Sequence, residues 1–109
     1  QLAMNIVGKE LENDGFEFLA VNSKLKKNPQ FVALKDKQLH FVVVRAVTYP
    51  NSPKKYDTKL LDKVKNHAEK FEAITFYAGV GLANSNDYDH PLDSDSDYVV
   101  NYHGLTPIE

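Results

Sequence analysis

The chain has 109 residues, enough for one domain with one modest core. Hydrophobic residues make up 42% and charged residues 26%, with a net charge of −2, which are the proportions of an ordinary globular protein. There is no cysteine, which excludes disulfides, Cys-ligated zinc and thiol catalysis, and no apolar run of the ~18 residues that a membrane helix needs. No leader pattern is visible, and a cysteine-free chain suits a reducing compartment, so a cytoplasmic location without membrane attachment is expected.

In chain order, "LAMNIVGKELENDG" places Leu2, Ala3, Ile6, Val7 and Leu11 at helical spacing, with Gly15 as the stop. "FEFLAVN" is β-prone and reads as a strand, followed by the basic connector "SKLKKNP". "FVALKD" and "QLHFVVVRAVTY" read as two strands around a tight turn at Asp36-Lys37, and the second is apolar on both faces, as a central strand must be. "PNSPKKYD" is a loop. "TKLLDKVKNHAEKF" sets Leu60, Leu61, Val64, Ala68 and Phe71 on one helical stripe, with Asp57 or Thr58 as cap. "AITFYAGVGLA" is a further apolar strand, "NSNDYDHPLDSDSD" an acidic loop, and "YVVNYH" a last short strand before a tail. The order αβββαβ predicts an α/β single domain over 1–109, with a mixed sheet of 4–5 strands flanked by two helices. Its core falls in about 2–83, the acidic loop in 84–97 and the last strand and tail in 98–109.

Charge is segregated along the chain. Residues 22–72 hold eleven lysines and Arg45 against five acids, a net of +7, whereas residues 73–109 hold six acids and no Lys or Arg. Lys24, Lys26, Lys27, Lys54 and Lys55 border the predicted hairpin and the following loop, where they would form a phosphate-tracking surface or a merely solvated face. Arg45, inside an apolar strand, must be paired or must face a cleft; it reads as an anion clamp, a structural ion pair or a strand-end charge facing solvent.

Other sequence signals carry less. Asp93, Asp95 and Asp97 alternate as at the start of a calcium loop, but Tyr98 stands where the loop glycine belongs and Gly104 where the bidentate Glu belongs. The four histidines have no metal-ligand spacing. "GVG" at 79–81 lies inside a strand, which indicates close backbone packing rather than a phosphate loop. Tyr77, Tyr88, Tyr98 and Tyr102 are expected near the C-terminal end, in a small core or an interface.

With the elements in this order, "GKELENDGFEFLAVN", "QFVA", "FVVVR", "NHAEKF" and "ITFYAGVGLA" together resemble the PD-(D/E)XK nuclease-like superfamily. The likeness is greatest to its small branch related to Holliday-junction resolvases, and it extends over residues 2–83. The resemblance implies a restriction-endonuclease-like fold. It also implies a site at which two carboxylates hold Mg²⁺ and a lysine orients water. Carried over residue by residue, the first acid falls on Gln30, the second on Val43 and the lysine on Arg45. Val43 offers no ligand, Gln30 only a neutral amide, and Arg45 cannot act as a base.

The expectation is therefore a catalytically inactive protein of nuclease-like fold, without cofactor, serving as a binding or interaction module for an unknown protein or nucleic acid. The alternative is a weak nucleic-acid binder or a diverged Mg²⁺ nuclease with relocated acids, Glu10 of the first helix being the candidate. The strand "YVVNY" is an edge through which a homodimer could pair.

Overall fold

The computed structural model describes residues 2–24, 27–89, 92 and 97–109. Helix α1 (Leu2–Asn13) is followed by β1 (Glu17–Val21), β2 (Phe31–Lys35), β3 (Gln38–Thr48), α2 (Thr58–Glu69), β4 (Ala73–Asn84), β5 (Tyr98–Tyr102) and β6 (Thr106–Pro107). The strands form one six-stranded mixed sheet in the order β1-β2-β3-β4-β5, with β6 also paired to β4.

Local chemistry accounts for the elements. α1 ends in a Schellman cap: Phe16 N–H donates to Leu11 C=O at 3.0 Å and Gly15 N–H to Glu12 C=O at 3.1 Å. Gly15 supplies the required positive φ of 88°. The β2–β3 turn holds Asp36 and Lys37 at φ 53° and 66°, the paired left-handed residues of a two-residue hairpin. α2 is capped by the Asp57 carboxylate, which accepts the Leu60 N–H at 3.2 Å.

α2 is the crossover between β3 and β4, which run parallel over Leu39–Thr48 and Ala73–Leu82. Alternation along β3 divides the core in two. Val42 and Val44 pack with Met4, Val7 and Leu11 of α1, while Phe41 and Val43 pack with Leu61, Val64 and Ala68 of α2. β3 thus lies at the centre of the sheet, with both faces covered.

Three expectations need correction. The residues after "YVVNYH" are not a loose tail: Ile108 is buried, its N–H donates to Thr75 C=O at 2.9 Å, and Thr106–Pro107 add a sixth strand. Phe71 leaves the apolar stripe of α2, because the helix ends at Glu69 and the ring is exposed beyond it. The four tyrosines do not form one cluster, since Tyr77 is buried against α2 and Tyr102 packs on the α1 side, while Tyr88 and Tyr98 are exposed. The glycines of "GVG" do serve close packing, because a Cβ at Gly79 would lie 1.9 Å from the Pro53 carbonyl oxygen. Among the described residues, no helix is long and apolar enough to cross a membrane.

Candidate functional site

β2 begins at Phe31, and β3 continues past it with one edge uncovered. Gln30 fills that gap. Its side chain is fully buried, and its Oε1 accepts the Val44 N–H at 2.7 Å, so a side chain carries the ladder on after the neighbouring strand has ended. Its Nε2 donates to Asn28 Oδ1 at 3.0 Å and to the Lys27 and Lys24 carbonyls at 3.3 and 3.4 Å. Gln30 therefore ties the connector between β1 and β2 onto β3.

Arg45 joins the same network. Its Nη1 donates to Val44 C=O at 2.8 Å and to Gln30 Oε1 at 3.3 Å, and its Nη2 donates to Asn28 Oδ1 at 2.8 Å. Among the described residues, these bonds leave the Nε–H and one Nη2–H of the guanidinium unused. Every acceptor in the set is neutral, and no carboxylate of the described residues forms an ion pair with Arg45. Burial lowers the Arg45 pKa, opposed by the fields of Tyr77 and Asp57, and the guanidinium stays charged.

Arg45 lines a cavity of about 170 Å³ between the C-terminal half of β3, the loop 49–57 and the start of α2. Lys55, Tyr56, Asp57, Leu60 and Tyr77 complete its wall. The loop is held down on β4, where Tyr77 Oη donates to Pro53 C=O at 2.9 Å and Gly79 leaves room for that carbonyl. Lys54 and Lys55 are exposed on this loop, and Lys24 and Lys27 are exposed on the connector that Gln30 and Asn28 bind to Arg45. Two lysine-bearing segments some thirty residues apart in sequence thus meet the Arg45 network, the connector through Asn28 and the loop through the shared cavity wall. Lys26 lies outside the described residues, as do Asp93 and Asp95.

Of the three positions that the resemblance assigned to catalysis, two meet and the third is packed apart from them. Gln30 and Arg45 are hydrogen-bonded, and Val43 is fully buried under Leu61 and Val64 of α2. A Mg²⁺ ion does not fit this set, because Gln30 Oε1 already takes two donors and Val43 has no ligand atom and no opening. Glu10 does not complete the set. It lies on α1, across the sheet from Val43 and its α2 packing, and its Oε1 accepts the Tyr102 hydroxyl at 3.0 Å. Burial and that bond push the Tyr102 pKa well above its ordinary value. Among the described residues, no group of three or more His, Asp or Glu side chains is placed to hold a metal.

Sequence reasoning missed Asn28 and Tyr56, and it saw Asp57 only as a helix cap. Their roles arise from tertiary contacts, and no spacing signals them.

A family model for a domain of unknown function, DUF8840, matches residues 1–108, and the chain belongs to that family. No curated protein matches the chain.

Proposed function

We propose that this DUF8840 domain is a non-catalytic module that binds a phosphate-bearing partner at Arg45 and the lysines around it. The observation that carries the reading is the half-buried Arg45 guanidinium beside a cavity, where, among the described residues, it meets only neutral acceptors and keeps two N–H groups unused. Burial of this cation outweighs the fields of Tyr77 and Asp57, and an arriving anion offsets the remaining cost. Exposed Lys24, Lys27, Lys54 and Lys55 extend the positive field beyond a single group, which suits a polyanion such as nucleic acid better than a lone carboxylate. Cleavage is not part of the reading, because Gln30 and Val43 are buried structural residues with no capacity for Mg²⁺.

The test is fluorescence anisotropy with labelled duplex, four-way-junction and single-stranded DNA at about 50 and 200 mM salt, the range over which phosphate contacts lose most of their affinity. Mg²⁺ is present and the samples are run on a gel afterwards. Salt-sensitive binding with intact DNA is expected. Mg²⁺-dependent cleavage, or no binding to any form at the lower salt, overturns the proposal.

A further inference from the structure

β5 forms one edge of the sheet and pairs with β4 through five uninterrupted partners, from Val80↔Tyr102 to Asn84↔Tyr98. Its other edge is paired with no described strand. Tyr98, Val99 and Val100 are exposed at 46%, 37% and 44%, so apolar side chains reach solvent from both faces of the strand. The opposite edge is protected differently: β1 carries an irregularity between Phe18 and Ala20 that breaks its ladder. β5 has no bulge, proline or charged residue, the usual devices that keep an edge strand from pairing.

We infer that β5 is a homodimerisation edge, joining two copies antiparallel about Val100 into one continuous sheet. One register overlaps the whole strand. It sets Val100 against Val100, Val99 against Asn101 and Tyr98 against Tyr102 of a second copy. The same register places Asp97, just before β5, opposite His103, just after it, an acid facing a base at each end. Val100 shares the face of Val80 and Leu82, which α1 covers, so pairing extends an existing apolar surface. A two-fold axis makes the contact self-complementary, which a closed dimer requires. The inference is independent of anion binding at Arg45, which lies on β3.

The chain's lack of cysteine makes the test clean. Val100→Cys places one thiol at the proposed axis, and Leu19→Cys places one on the exposed part of β1 as a control. Directly opposed residues of antiparallel strands have Cβ atoms about 4.5–5.5 Å apart, close enough for a disulfide after a small adjustment. Under mild oxidation, V100C is expected to form a covalent dimer at least tenfold faster than L19C. Sedimentation of the unmodified chain between about 1 μM and 1 mM is expected to show a reversible dimer, as suits a small interface. Val100→Lys should make it monomeric, with a thermal transition that no longer rises with protein concentration and equals that of the unmodified chain at dilutions where the latter is monomeric. A monomer throughout that range, equal cross-linking of both variants, or a dimer that V100K leaves intact each overturns the inference.

Discussion

The Gln30 carboxamide accepts the Val44 backbone N–H at 2.7 Å, and a side chain thereby takes the place of a strand. The residue on which the nuclease-like resemblance would place a first acid is here part of the sheet's hydrogen bonding. Its other end anchors three acceptors of the preceding connector. Stability and the shape of the Arg45 site are therefore coupled through one buried amide.

Gln30→Leu keeps the volume and removes both ends of this link. It leaves the buried Val44 N–H without an acceptor, at a cost of roughly 1–3 kcal/mol. Urea denaturation should show that loss as a lower midpoint with an unchanged slope. An unaltered midpoint would mean that water or a shifted connector replaces the amide.

The Arg45 site can be tested without emptying the core. Arg45→Lys keeps the charge and loses the planar fork, so affinity for DNA should fall about tenfold or more while binding stays salt-sensitive. Replacing both Lys54 and Lys55 by Ala touches only exposed groups, and it should lower the slope of log affinity against log salt by about 2. An unchanged slope would place the phosphates elsewhere.

Asp57 is the carboxylate that lines the Arg45 cavity, and it also caps α2. Asp57→Asn retains the cap, because asparagine is as good at that position, while removing the charge. Anion affinity should rise several-fold with stability nearly constant. Anisotropy titrations beside thermal melts read the two effects separately, and weaker binding would show that Asp57 holds the site open rather than competing within it.

Gly79→Ala forces a Cβ to 1.9 Å from the Pro53 carbonyl oxygen, so the loop 49–57 must lift from β4. A loss of roughly 1–3 kcal/mol is expected from such overpacking, together with weaker binding, because Lys54, Lys55 and the cavity wall move with the loop. Tyr77→Phe removes only the hydroxyl that bonds the same carbonyl, and it should cost about 0.5–1.5 kcal/mol. Equal effects from the two variants would contradict the steric account.

His40 gives stability a pH dependence. Its ring lies between Phe16 at 4.9 Å and Phe76 at 5.5 Å, and its Nδ1 has no hydrogen-bond partner among the described residues. Burial lowers its pKa from the ordinary 6.5, the backbone at Ala33 and Gln38 opposing and Lys35 adding to the shift. The unfolded chain therefore binds a proton at higher pH than the folded one. Stability is complete above 6.5, falls as the pH drops below it, and levels off beneath the folded-state value. Denaturation midpoints between about pH 4.5 and 8 should show this fall, and His40→Phe should remove that part of it. An identical pH profile in the variant would assign the effect to other groups.

Much of the fold was legible in the sequence because its signals are local. Helical spacing marked α1 and α2, Gly15 and Asp57 marked their ends, and Asp36-Lys37 marked the hairpin. The two-faced apolar run of β3 required a central strand, and "GVG" required close packing. What the sequence could not fix was long-range. The return of Thr106–Pro107 to β4 rests on two residues with no periodicity, and Phe71 escaped its stripe because the helix ended two residues before it. The site divides in the same way. The resemblance put its acid positions on Gln30 and Val43, which carry no carboxylate, and a charge inside an apolar strand singled out Arg45. Only the tertiary structure decided that Gln30 completes the edge of β3, that Glu10 is bound to Tyr102, and that Arg45 meets neutral partners beside a cavity. Hydrogen bonds between residues fourteen or more positions apart leave no pattern in a sequence; they exist once the sheet has brought the strands into register.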